Sequence, residues 1–138
     1  MAATDSRKDS FSEVTFGPKI DPKLYSDIAD AAAQIVAGDR GVRNPRNKPS
    51  QLRRFYDELV NLADKVGANA QKFEEQRPFI QMMKAKVAYA KGRDKVDDNF
   101  RALLCRVVDQ TTDVDTLRQA RLFMEAFMAF YKVYRPRD

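Results

Sequence analysis

The sequence predicts an all-α protein, a single compact bundle of about five to six helices, and three observations predict it. Apolar residues recur at three- and four-residue spacing through most of the chain. No stretch alternates apolar and polar with the period of two that a half-buried strand needs. Glycines and prolines mostly fall between the periodic runs, where they start and stop helices. With 138 residues, 43% of them hydrophobic and 33% charged, the chain is the size of one domain. At that size roughly two thirds of the unfolded surface can be buried without a disulfide or metal to help.

Residues 1–20 read as a flexible N-terminal arm, rich in Ser, Asp, Thr and Lys, with Phe11, Val14 and Phe16 its sizeable apolar groups. The helical-bundle domain takes residues 21–138. Asp21-Pro22 has the form of an N-cap followed by proline at the first helical position, and Leu24, Ile28, Ala31, Ala32 and Ile35 share a face up to Gly38. The loop Gly38 to Pro49 carries Arg40, Arg43, Arg46 and Lys48 among two glycines and two prolines, and reads as mobile and exposed.

A second helix is predicted from about Ser50 to Val66, with Leu52, Phe55, Tyr56, Leu59, Ala63 and Val66 inward and Gly67 closing it. A short helix over Asn69 to Gln76 follows. Pro78 is strained inside a helix, so the next one is predicted to start there and reach Gly92, with Phe79, Ile80, Met83, Val87 and Ala90 as its core face. Val96, Phe100, Leu103, Leu104, Val107 and Val108 mark another. Thr112 and Asp115 have capping-box spacing ahead of a last helix, about Asp115 to Tyr134, that Pro136 stops. That helix is apolar on most of its circumference, which suits either the centre of the bundle or contact with a partner subunit.

Most catalytic chemistry is excluded by composition. With no histidine, no tryptophan and one cysteine, the chain lacks Ser-His-Asp or Cys-His catalysis, histidine metal sites, zinc knuckles and an internal disulfide. Asp94, Asp97 and Asp98, like Glu74-Glu75, offer carboxylates, but neighbours on a helix diverge by about 100° and Lys95 sits among the first group. Cys105 lies on an apolar-periodic helix and reads as a small hydrophobe. No phosphate-loop or dinucleotide fingerprint is present, and Gly38-Asp39-Arg40-Gly41 is loop punctuation. The expectation is a protein that is not an enzyme and that needs no cofactor and no metal. Met1 to Gly17 shows no secretory or organellar signal, and Leu122 to Tyr134 is too short and charged to span a bilayer, so a cytoplasmic, non-membrane protein is expected.

Charge is the informative property. The formal net charge is +5, which favours a polyanionic partner. It also oscillates along the chain: −2 over residues 1–37, +5 over 38–56, −3 over 57–76, +5 over 77–95, −3 over 96–116 and +3 over 117–138. Blocks of this kind suit a molecule with one basic and one acidic side, as well as scattered solvation charge. On a helical wheel Lys84, Lys91 and Lys95 line one margin of the helix after Pro78, and Lys86, Tyr89 and Arg93 line the other. A ring between a lysine and an arginine can hold a nucleic-acid backbone by charge while stacking on a base or ribose. A buried Tyr89 with snorkelling lysines is the bland alternative. A rival motif, Leu62 to Phe73, has the small-residue, glycine and apolar spacing of a helix-turn-helix, which would make Asn69 to Gln76 a DNA-reading helix in a sequence-specific DNA-binding protein.

Two segments carry a family resemblance. Gln51-Leu52-Arg53-Arg54-Phe55-Tyr56-Asp57 and Phe79 to Arg93 (FIQMMKAKVAYAKGR) resemble the two best-marked motifs of the small subunit of the type III-A CRISPR effector, the Csm complex. With helix order and length the resemblance covers about residues 21–138. The small subunit of the related Cmr (type III-B) complex is the nearest alternative. The resemblance implies a noncatalytic, RNA-binding structural subunit of an antiviral-defence ribonucleoprotein, in several copies stacked along guide RNA and single-stranded target RNA beside other Csm subunits. It would hold the RNA backbone without sequence specificity. Carried over to matching positions, it suggests Arg53, Arg54, Lys86 and Arg93 as RNA-binding residues, with Lys84 and Lys91 as further candidates, while Tyr56 and Tyr89 can serve the fold instead.

Overall fold

The computed structural model describes residues 11–39 and 41–138. After an irregular segment, a π-helical turn Leu24–Ile28 runs straight into α1 (Ala29–Ala37). Four further helices follow: α2 (Pro49–Val66), α3 (Ala70–Gly92), α4 (Asp98–Asp109) and α5 (Val114–Tyr134). Among the described residues there is no strand. Short connections make α2, α3, α4 and α5 run alternately up and down the bundle, α3 lying against α2 and α4 against α3, while α5 crosses to α1 and α2. Helix α5 packs on α1 and α2, and α3 packs on α2 and α4. In the core, Phe100 of α4 lies between Phe55 of α2 and Phe127 of α5, with ring centroids 5.6 and 6.3 Å away. Leu122 and Val133 of α5 stay exposed, so that helix is central on one side only.

Four expectations change. The arm is not free along its whole length: Phe11 and Val14 are each 1% exposed and Phe16 is buried. Side chains of α4 and α5 hold its backbone. Arg106 Nε donates to the Val14 carbonyl and its Nη2 to that of Ser12, both at 2.8 Å. Gln119 accepts from Gly17 N at 2.9 Å and donates to its carbonyl at 2.8 Å, and Gln110 accepts from Phe16 N at 2.8 Å. Backbone without helix or sheet partners needs such substitutes before its rings can be buried. Residues 1–10 of the predicted arm lie outside the described residues.

Second, the short helix and the helix from Pro78 are one, α3, with Pro78 inside it. Proline there loses a hydrogen bond and costs about 3 kcal/mol. Phe73 and Ile80, one heptad apart on either side of Pro78, bury on a continuous stripe with Met83 and Val87 that offsets the loss. Third, Phe79 is off that stripe and 51% exposed, and α1 buries Ala29, Ala32, Ala33 and Val36 while Ala31 faces outward. Fourth, the capping box at α5 is Asp113 with Thr116, one residue on from Thr112 and Asp115. Asp113 accepts from Thr116 N at 2.8 Å, and these bonds hold its carboxyl below the usual aspartate value.

Candidate nucleic-acid interface

The C-terminal ends of α1, α3 and α5 meet the start of α2 and the α3–α4 turn at one end of the bundle, and Asn47 ties them together. Asn47 is fully buried and left-handed, with φ 57°. Its Nδ2 donates to the Val36 carbonyl at 3.1 Å and its Oδ1 accepts from Asp97 N at 2.9 Å. Its backbone N donates to the Lys95 carbonyl at 3.0 Å, and its carbonyl accepts from Tyr131 Oη at 2.5 Å. Burial pushes the Tyr131 phenol up to about 12. Arg135 Nη1 donates to the Arg46 carbonyl at 2.6 Å. The loop predicted to be mobile is therefore anchored over its last residues, because asparagine is the side chain that tolerates left-handed backbone and bonds in both directions. Arg40 lies outside the described residues.

The six predicted residues divide into three groups. A 2.7 Å ion pair joins Lys86 of α3 to Glu58 of α2. One turn back on α2 and one turn on along α3, the same edge carries Arg54 and the pair Tyr89–Arg93. Arg54 is exposed and has no carboxylate partner among the described residues. Tyr89 is 67% exposed, against the alternative of a buried ring, and the Arg93 guanidinium lies 5.7 Å from its centroid. Arg93 also donates to Tyr89 Oη at 3.2 Å. Arg54, Lys86 and Arg93 thus come together.

Arg53 points to the other side of α2. It is held loosely by Asp57 at 3.9 Å and lines a cleft with Tyr56, Lys132 and Arg137. Lys84 and Lys91 face α4, where Asp109 and Asp98 approach to 2.6 and 3.6 Å. The hydrogen bond to Asp109 raises the Lys84 ammonium above its ordinary value. Those two lysines lie on the opposite flank of α3 from Lys86 and Arg93, so the six do not form one strip.

The sequence reading missed a basic cleft. A cleft of about 1040 Å³ between the 38–48 loop and the segment after α5 is lined by Arg43, Lys48, Arg135 and Arg137, with Asp39 and Asp138 as its acids. That volume is at the upper limit of small-ligand pockets, and the cleft suits an extended anion better than an enclosed metabolite. The clue available beforehand was the crowding of arginines in the loop and after Tyr134. Nothing in the sequence says that these two segments meet.

The cleft gathers four cations and two carboxylates. Among the described residues no group of three or more His, Cys, Asp or Glu could hold a metal ion. Cys105 is half-buried, and burial raises its thiol. No helix among the described residues is long and apolar enough to cross a membrane.

Residues 23–137 match the family model for Csm2 Type III-A. The chain belongs to the Csm2 family. It is a small subunit of the type III-A CRISPR complex, which answers the alternative of the Cmr small subunit. No curated protein and no solved structure matches the chain. The helix-turn-helix alternative loses its geometry as well: the would-be reading helix is the first turns of the 23-residue α3, and Asn69 is spent capping it by accepting from Lys72 N at 2.9 Å. Both segments that carried the resemblance lie inside the Csm2 match, on α2 and α3.

Proposed function

We propose that this Csm2 subunit is a noncatalytic, cytoplasmic RNA-holding element of the Csm complex that grips guide RNA and single-stranded target RNA by their phosphates, without reading bases. The observation that carries this reading is the gathering at one end of cations from three separate stretches of chain. Arg43 and Lys48 come from the loop, with Arg54 just beyond it on α2; Arg93 follows α3; Lys132 and Arg137 come from α5 and the segment after it. None of these has a carboxylate within ion-pair distance among the described residues, whereas at the same end Arg46 is paired with Asp94 and Lys91 with Asp98, and Lys84, Arg77 and Arg121 are paired elsewhere on the surface. The Lys86–Glu58 pair does not disqualify Lys86. Such a pair on a surface is worth about 0.2–1 kcal/mol, so an arriving phosphate can replace the carboxylate.

Phosphate contacts position a protein without carrying sequence information, and guide pairing supplies specificity in complexes of this kind. Tyr89, with its ring exposed beside Arg93, is the group suited to pack on a ribose or base. The test is charge reversal of Arg43, Arg54, Arg93 and Arg137 to glutamate, singly and together, with RNA affinity measured across a salt series. For every phosphate that a variant no longer neutralises, the slope of log K against log salt should flatten by roughly 0.7 on a single strand. An unchanged affinity and slope in the quadruple variant would refute the reading.

A further inference from the structure

The large basic cleft beside the 38–48 loop and the smaller one that contains Arg53 and Lys132 share a wall, and that wall is Pro136, Arg137 and Asp138. The segment after α5 therefore lies as a ridge dividing basic surface into two. One interaction pins its far end: the Asp138 carboxylate accepts from Ser50 N at 3.0 Å and from Ser50 Oγ at 2.5 Å. Ser50 is the second residue of α2, and Lys48 at the N-cap supplies no side-chain cap, so the helix takes an anion from a distant part of the chain. The Ser50 bonds, and after them the charges of Lys48 and Arg135, hold that carboxyl below the usual aspartate value. Two oxygens accepting from a backbone amide and a hydroxyl among cations is also how a phosphodiester binds.

We infer that the start of α2 is a phosphate subsite that Asp138 occupies in the free protein, and that an RNA phosphate displaces it. Displacement lifts the 136–138 strap and joins the Arg43–Lys48 side to the Arg53–Lys132 side as one trough across Ser50. The strap sets a threshold: a lone phosphate competes with a tethered carboxylate, while a longer strand gains both clefts at once. This rests on the RNA-holding reading above, and the experiment separates the two.

Affinity for an oligouridine RNA is measured for the wild-type protein and for Asp138→Ala and Glu125→Ala. Both variants remove one negative charge beside the basic surface, and only the first removes the acceptor for Ser50 that anchors the strap. Loss of charge alone predicts gains of similar size. The strap predicts a further gain of about two- to fivefold for Asp138→Ala, the range of an exposed charge-assisted interaction. Amide NMR shifts of Ser50 and of residues 137–138 should also move together as RNA saturates the wild-type protein. Equal gains in the two variants, or residues 137–138 unmoved at saturation, would overturn the strap while leaving RNA holding intact. Oligouridine binding that survives both high salt and the arginine reversals would instead strike the underlying reading.

Discussion

Asn47→Ala is expected to be among the most damaging single substitutions in this chain, although it removes no apolar packing. The change deletes the acceptor for Asp97 N and the donor to the Val36 carbonyl, at a position with no exposed surface. Each buried partner left unsatisfied costs about 1–3 kcal/mol. The left-handed backbone at φ 57° adds about 1 kcal/mol or more for a side chain without asparagine's local bonding. Summed, the destabilisation is about 4 kcal/mol, a large part of the stability of a domain this size. With a urea m-value of about 2 kcal/mol/M, the unfolding midpoint should fall by about 2 M. Asn47→Gly keeps the backbone easy and forfeits the same two bonds, so its midpoint should fall slightly less. A destabilisation under about 1 kcal/mol in Asn47→Ala would show that the loop is not held by this side chain. The preorganisation of Arg43 and Lys48 would then need another cause.

Arg106→Ala should release the 12–17 segment, since three of its bonds end there; we expect a destabilisation of about 1–3 kcal/mol and faster proteolysis near Gly17, checked by urea melts and limited digestion. Pro78→Ala should stabilise α3 by about 1–3 kcal/mol by restoring a helix hydrogen bond at an exposed position, checked by thermal melting. For Tyr131 the folded value near 12 lies above the ordinary 10, so its contribution is fully present below pH 10 and is lost as pH rises from 10 toward 12. Stability of wild type minus that of Tyr131→Phe, followed across that window, should shrink; a constant difference would contradict the assignment.

The sequence made the helices legible because their cores are periodic: Leu52, Phe55, Leu59 and Val66 of α2 are buried as their spacing requires. It misled where a local rule met tertiary packing. Pro78 is a strong stop signal, yet Phe73 and Ile80 belong to one buried stripe and override it. Phe11, Val14 and Phe16 are too few and too irregular to announce a docked segment, and the polar clamps Arg106, Gln110 and Gln119 that make docking possible come about 90–100 residues later in the chain. The candidate site was half visible for the same reason. Arg54, Lys86 and Arg93 share an edge that helix geometry could foresee, whereas the meeting of Arg43 and Lys48 with Arg137 depends on Asn47, whose role no local pattern signals.

Part of the oscillation in net charge follows from the topology. A chain that runs up and down the bundle returns to the same end with every second connection, and unpaired cations recur there. Arg43, Lys48 and Arg54 arrive with the loop and the start of α2, Arg93 with the end of α3, and Lys132 and Arg137 with the end of α5, while Arg77, Arg118 and Arg121 of the same basic stretches lie toward the other end. Unpaired cations brought so close repel one another, and the folded state carries that cost because the unfolded chain spreads them apart. Raising salt from a low level screens the repulsion over about 10 Å at 0.1 M and should therefore raise the melting temperature. Oligouridine RNA should raise it further by binding only the folded form. If surface ion pairs such as Lys84–Asp109 and Arg121–Asp64 dominated the balance, added salt would lower the melting temperature instead. The sign of that one measurement decides whether the basic end is an electrostatic strain held in reserve for phosphate.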